Sequence, residues 1–111
     1  MLRLKSTSYY SLLRESKTKI LGKHFIVVYI LDEMIKESLA GITVSKKVGN
    51  AVVRNKIKRR IKSVLHGYIL PDMRKRFYCN IIALSSAVGV EWDIFKCDLE
   101  KCLDKLVKLH S

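Results

Sequence analysis

The stretch from Val44 to Lys62 restricts the possible folds of this chain more than any other. Eight of the seventeen residues from Lys46 to Lys62 are Lys or Arg, and no Asp or Glu occurs between Ser38 and Pro71. A block with so many cations and no acid must face a polyanion or repel itself.

The same stretch also carries an apolar stripe. Its members recur at intervals of three and four residues, the spacing of one side of a helix: Val53, Ile57, Ile61, Val64 and Tyr68. We therefore predict a helix that buries this side, with Asn50 as its N-cap and Gly67 at its end before Pro71.

A rotation of about 100° per residue from Ile57 divides the polar residues of this helix into two groups. The larger group lies opposite the stripe or on its shoulders: Asn55, Arg59, Lys62, Lys56 and Lys58. Arg54 and Arg60 fall about 60° to either side of the stripe, at the boundary between buried and exposed surface. An ordinary solvated basic face is the alternative interpretation, but such helices usually intersperse Glu with Lys, and this helix has none.

Length and charge limit the class of protein. A chain of 111 residues predicts one domain over 1–111, and 22 Lys plus Arg against 10 Asp plus Glu give a formal net charge of +12. Such a charge is typical of proteins that bind nucleic acid or an anionic membrane surface. The longest apolar run, Phe25 to Leu31, has seven residues, whereas a membrane-spanning helix needs about 20. We therefore expect no membrane segment.

Cysteine usage and the first residues bear on the compartment. The three cysteines are an odd number, and no secretory signal follows the first charged residues. We therefore expect reduced thiols and a cytoplasmic protein.

Segments around the basic helix predict an α+β fold with the order helix, strand, strand, helix, strand, helix. A first helix is expected within residues 3–22 and a last helix over 91–110, because each has an apolar stripe. Strands are expected over 24–31, 39–45 and 77–84, which are rich in β-branched and aromatic residues. The strand over 24–31 is apolar on both faces, and in the strand over 77–84 Asn80 stands out as a polar residue.

The sequence offers no group for catalysis by the protein itself. Magnesium-dependent hydrolysis needs clustered carboxylates, and acid–base hydrolysis needs paired histidines. The ten acids are scattered, the three histidines are isolated, and no zinc-ligand spacing occurs. We therefore predict no catalytic residue and no metal ligand.

The residues from Ser45 to Arg59, Ser-Lys-Lys-Val-Gly-Asn-Ala-Val-Val-Arg-Asn-Lys-Ile-Lys-Arg, resemble the signature of the bacterial ribonuclease P protein subunit. That signature has a Lys-Lys-x-Gly-Asn-Ala run followed by Arg-Asn-(Arg/Lys)-x-Lys-Arg. The match is long and ungapped, so it is more specific than a basic patch alone. One departure is Arg60, which stands where the family usually has an apolar residue.

The resemblance implies a two-layer sandwich with a four-stranded sheet. The fourth strand is expected near residues 19–23. The resemblance also implies a left-handed β-α-β crossover that carries the basic helix, although general rules favour a right-handed one.

The resemblance further implies an endonuclease in which an RNA subunit is the catalyst. That RNA, with the substrate, holds Mg²⁺ and removes the 5′ leader from precursor tRNA, while the protein binds the catalytic RNA and the leader. The RNA-binding residues implied are Lys46, Lys47, Arg54, Asn55, Lys56, Lys58, Arg59 and Lys62.

The resemblance places the single-stranded leader in a cleft lined by aromatic side chains. Tyr10 matches an aromatic of the first helix, and we expect Phe25 or Tyr29 to complete the platform. The family's strand tyrosine falls at Val28 in the ungapped match and reaches Tyr29 with a shift of one residue. A second family aromatic falls at Arg14.

Two other classes of protein fit the charge. A structural RNA-binding protein, such as a small ribosomal protein, fits the composition and charge equally well. Only the signature at Lys46 to Arg59 favours a ribonuclease P protein subunit over this alternative. A DNA-binding helix-turn-helix or histone-like protein needs a second helix paired with the basic one, whereas apolar strands flank it here.

Overall fold

The computed structural model of this chain describes residues 3–4, 18–32, 35, 37–71, 73 and 75–110. Five strands, two helices and a short 3₁₀ turn lie in these ranges. They are β1 Arg3–Leu4, β2 Lys19–Leu21, β3 Phe25–Asp32, β4 Leu39–Thr43, α1 Ala51–Gly67, β5 Arg76–Ala83, the 3₁₀ turn Ser85–Ala87 and α2 Trp92–His110.

The strands form one mixed sheet in the order β1-β4-β5-β3-β2. β3 pairs antiparallel with both β2 and β5, whereas β4 pairs parallel with β5 through the connection that contains α1. The predicted α+β fold and its four main strands are confirmed, including a fourth strand near residues 19–23. β1 adds a parallel pair of two residues at the β4 edge. The left-handed sense of the crossover stays a prediction.

The range within which the first helix is expected, residues 3–22, needs a correction at its start, because Arg3–Leu4 is a strand that pairs with β4. Sheet hydrogen bonds override the local helical pattern there. Lys19–Leu21, near the other end of that range, is the fourth strand that the resemblance implied. The part of the helix that includes Tyr10 and Arg14 lies outside the described residues.

Alternating burial gives the sheet two different faces. In β5, Phe77, Cys79, Ile81 and Ala83 are buried, whereas the residues between them are half-buried. The buried set packs against both helices in one core. The opposite side, here called the second sheet face, carries the half-buried residues of the three central strands: Ile26, Val28, Ile30, Leu39, Thr43, Tyr78, Asn80 and Ile82.

The hairpin between β2 and β3 is fixed to α2 by a carboxylate. The backbone amides of Lys23 and His24 donate to the two Asp98 carboxylate oxygens at 3.1 and 2.8 Å. Gly22 donates its amide to the Phe25 carbonyl at 2.8 Å, which closes the turn. Burial, with a smaller contribution from Asp98, raises the pKa of the neighbouring Cys102 thiol to about 11, so the sulfur is uncharged at neutral pH.

We expect Gly22→Ala to destabilise the protein by about 1–3 kcal/mol through overpacking. A Cβ at Gly22 would clash with the Cys102 Sγ and lie 3.1 Å from an Asp98 carboxylate oxygen, so the hairpin or the buried Cys102 side chain would have to shift. Urea unfolding of the two proteins measures the change.

Gly67→Ala is the matched control, because nothing lies within 4 Å of a Cβ at Gly67, in the last turn of α1. The control should unfold at the same urea concentration as the parent or a higher one. Equal midpoints for Gly22→Ala and the parent would show that the hairpin is not packed tightly against α2.

Candidate nucleic-acid interface

The basic helix α1 begins as predicted. The Asn50 side chain accepts a hydrogen bond from the Val53 amide at 3.0 Å, and the Asn50 carbonyl accepts the first helical bond from Arg54 at 2.9 Å. The helix ends at Gly67, also as predicted. Since neither cap uses a charged side chain, the cations of α1 are not needed to start or end it.

The orientation of α1 agrees with the predicted division of its surface. Ile57, Ile61, Val64 and Leu65 are buried against the core. The residues expected on the outward side are exposed, except for Lys58, which is half-buried: Asn55, Lys56, Lys58, Arg59 and Lys62. We call these five residues, with the exposed Lys46 and Lys47 in the turn before the helix, the basic surface. Because α1 contains no acidic residue, this surface presents one sign of charge to solvent.

Arg54 differs from the basic surface, because its side chain is half-buried, as its position beside the stripe predicted. Within the described residues, its Nε is buried and has no hydrogen-bond partner. Leaving a buried charged donor unsatisfied costs more than about 1 kcal/mol.

Arg60, the departure from the family signature, joins α1 to the segment before α2. Its Nη1 donates to the Val90 carbonyl at 2.8 Å, and its guanidinium carbon lies 5.5 Å from the centre of the Phe95 ring. Phe95 in turn stacks against Trp92, with ring centres 6.0 Å apart. Arg60 is thus half-buried, with its guanidinium bonded to a backbone carbonyl and placed near an aromatic ring. Sequence reasoning missed this contact, since Val90 is thirty residues away.

We expect Arg60→Ala to lower the free energy of unfolding by about 1–2 kcal/mol, because it removes a charge-assisted hydrogen bond and a cation–π contact. Arg60→Leu should lose less, since it keeps the apolar contacts. Lys62→Ala, an exposed cation on the same helix, serves as the control and should change stability by less than about 0.5 kcal/mol. If Arg60→Ala matches this control in thermal unfolding, the contact to Val90 does not stabilise the fold.

The two strand aromatics expected in the leader cleft lie in the core instead. Phe25 has no exposed surface and packs edge-on against Phe95, with ring centres 4.9 Å apart. Tyr29 is 3% exposed, and its hydroxyl lies 2.6 Å from the Nε2 of His110. Since neither ring offers a free face for a base, Phe25 and Tyr29 do not fit the expected platform.

Strand register explains this correction. Side chains along β3 point alternately to the two faces of the sheet. Moving the family match by one residue, from Val28 to Tyr29, therefore moves it to the face that packs against the helices. Val28, where the ungapped match places the family's tyrosine, pairs with Asn80 and lies on the second sheet face. The ungapped match therefore falls on a half-buried residue outside the core, and this chain has Val rather than an aromatic residue there. Tyr10, the other expected platform residue, lies outside the described residues.

The described residues contain neither a metal-binding cluster nor a membrane-spanning helix. No three side chains of His, Cys, Asp or Glu in the described ranges are grouped so that they could hold a metal ion. Neither α1 nor α2 is both long and apolar enough to span a bilayer.

Sequence comparisons give a consistent result. The family model for Ribonuclease P matches residues 1–107. A ribonuclease P protein component from Dictyoglomus turgidum is 52% identical over 105 residues, 95% of this chain and 82% of that protein. Another from Geobacter sp. strain M21 is 35% identical over 101 residues, 87% of this chain and 81% of that protein. The match to a third, from Streptococcus gordonii, covers 57% of this chain and 52% of that protein at 46% identity.

Solved structures agree with the sequence matches. The ribonuclease P protein of Staphylococcus aureus superimposes with a TM-score of 0.77 at 27% identity, over 100% of this chain and 99% of that one. The Thermotoga maritima protein shares the fold with the same TM-score at 21% identity, again over 100% and 99% of the two chains. The chain therefore belongs to the ribonuclease P protein family.

Proposed function

We propose that this protein is the non-catalytic subunit of a ribonuclease P ribonucleoprotein. In this role it binds the catalytic RNA subunit and the 5′ leader of precursor tRNA in the cytoplasm, as a single RNA-binding domain. The observation that carries the proposal is the exposed, acid-free basic surface in a member of this family. RNA is a large polyanion, and a surface with one sign of charge attracts it and steers its approach.

The chemistry of the reaction is assigned to the RNA. The RNA subunit and the substrate would hold Mg²⁺, and the bound ion would supply Lewis-acid activation of water and stabilisation of charge on phosphate. The described residues of this chain do not fit a metal site of their own, since they contain no group of three suitable ligands. The protein's contribution is to lower repulsion between phosphates and to raise affinity for the leader.

The cations of α1 have two roles in this proposal. Exposed Arg59 and Lys62 point away from the core and suit the large catalytic RNA. Arg54 is half-buried beside the apolar stripe, so its guanidinium suits a phosphate of the leader that lies close against the protein. Two binding partners on two sides of one helix would place the leader next to the catalytic RNA.

Reconstitution tests the proposal. The purified protein is added to a bacterial ribonuclease P RNA and precursor tRNA, at a Mg²⁺ concentration too low for the RNA alone to cleave. We expect a mature 5′ end when both subunits are present, and no cleavage by the protein without RNA. A protein that binds the RNA with no effect on cleavage would instead be a structural RNA-binding protein.

Two variants of equal charge sharpen that test. One replaces Lys56, Arg59 and Lys62 of the basic surface with Ala, and the other replaces the exposed Lys96, Lys101 and Lys105 of α2. Both lose three positive charges from a helix surface. Only the α1 triple variant should fail to restore cleavage at the protein concentration at which the parent does.

A further inference from the structure

A pair of polar side chains interrupts the apolar second sheet face. The side-chain Nδ2 of Asn80 donates to the Thr43 hydroxyl oxygen at 2.9 Å, and that hydroxyl donates to the side-chain Oδ1 of Asn80 at 3.2 Å. Asn80 lies in β5, between Val28 of β3 and Gly41 of β4. Its neighbours on this face within β5, Tyr78 and Ile82, are aromatic and apolar.

This pair has hydrogen-bonding capacity that the sheet does not use. A side-chain amide has two N–H donors and two acceptor lone pairs, and the contact with Thr43 uses one of each. One donor and one acceptor of Asn80 remain, on a residue that is half-buried rather than sealed in the core. Stability alone does not require the pair, because two apolar side chains of similar shape would serve about equally well there.

Cations border the same face at two places. Lys19 of β2 is exposed and pairs with Val28, the β3 partner of Asn80. On the other side, β4 ends at Thr43, and Lys46 follows three residues later, within about 11 Å along the chain. An apolar surface with cations at its borders suits single-stranded RNA, whose bases lie on the surface while phosphates meet the cations.

We propose that Asn80, held in place by Thr43, contacts the edge of one unstacked base of the precursor-tRNA leader and selects among bases at that position. The inference rests on the proposed function and adds a specificity-determining residue to it. Bases differ in where their edges place donors and acceptors, so one fixed donor and one fixed acceptor discriminate between them. The apolar neighbours contact any base and supply affinity without selection.

The test uses the reconstituted holoenzyme and precursor tRNAs in which each leader position carries each of the four bases. Competition between these substrates gives relative kcat/KM values at every position. The parent protein should favour one base several-fold at one leader position. Asn80→Val should reduce that preference to less than about twofold and leave the other positions unchanged.

Two further variants keep the test decisive. The single variant Asn80→Val leaves the Thr43 hydroxyl without its partner and could fold poorly for that reason. The double variant, Asn80→Val with Thr43→Val, removes both polar groups and avoids this cost. Ile82→Val changes an apolar neighbour on the same face and should keep the parent's preferences. An unchanged preference in both Asn80 variants would overturn the inference.

The failure of this inference differs from the failure of the proposed function. A parent holoenzyme that cleaves but shows no base preference at any leader position overturns the role of Asn80 alone. A parent protein that does not restore cleavage at low Mg²⁺ overturns the proposed function itself.

Discussion

The affinity of this protein for ribonuclease P RNA is expected to fall about a thousandfold when the salt concentration rises from about 50 to about 200 mM. The basic surface and Arg54 together hold seven Lys and Arg side chains that are exposed or half-buried. If about six of them each neutralise one phosphate, the logarithm of the affinity falls by roughly 0.7–0.9 per phosphate for each decade of salt. Binding titrations at four or more salt concentrations give this slope.

The two triple variants show which cations cause the slope. Replacing Lys56, Arg59 and Lys62 should lower the magnitude of the slope of log affinity against log salt by about two to three, because three phosphate contacts are lost. The α2 triple variant, Lys96, Lys101 and Lys105 to Ala, should keep the slope of the parent. Equal reductions in the two variants would mean that the net charge acts as a whole and that α1 has no special place.

Arg59 and Arg54 should differ in which binding step they affect. We expect Arg59→Ala and Lys62→Ala to weaken assembly with the RNA subunit while the advantage of a long leader over a short one persists. Arg54→Ala should reduce the advantage of the long leader and affect assembly less. Each substitution should cost about 1–3 kcal/mol of binding free energy where the contact is desolvated and under about 1 kcal/mol where it stays exposed.

Measurements at one salt concentration decide between these roles. They require the affinity of each variant for the RNA subunit alone, and of each holoenzyme for precursor tRNAs with two leader lengths. Lys101→Ala, a single exposed cation of α2, is the matched control and should leave both quantities unchanged. Proportional losses of assembly and leader discrimination in all three α1 variants would show that this helix does not have two separate binding sides.

The position and orientation of α1 could be predicted because its signals are local. The stripe that includes Ile57 and Ile61 fixes the buried side, and the Asn50 cap fixes the start within one turn. The half-buried positions of Arg54 and Arg60 followed from helix geometry alone. None of these features depends on a distant part of the chain.

Which side of β3 packs against the helices could not be predicted from the residues of the strand alone. The strand is apolar on both sides, so alternation gives no sign of which side meets the helices. Pairing with β5 and packing on Phe95 decide that Phe25 and Tyr29 turn inward. The bonds of Arg60 to Val90 and of Asn80 to Thr43 also join distant segments, which a single sequence does not reveal.

Chemical labelling of lysines tests most directly whether α1 is the side that faces RNA. The protein is acetylated with an amine-reactive reagent, alone and in complex with the catalytic RNA, and mass spectrometry gives the rate at each lysine. Lys56 and Lys62 of α1 are compared with Lys96, Lys101 and Lys105 of α2, because all five are exposed in the free protein. We predict that RNA slows labelling several-fold at the α1 lysines and leaves the α2 lysines unchanged. Equal protection on both helices, or protection confined to α2, would contradict an RNA-binding role for the basic surface.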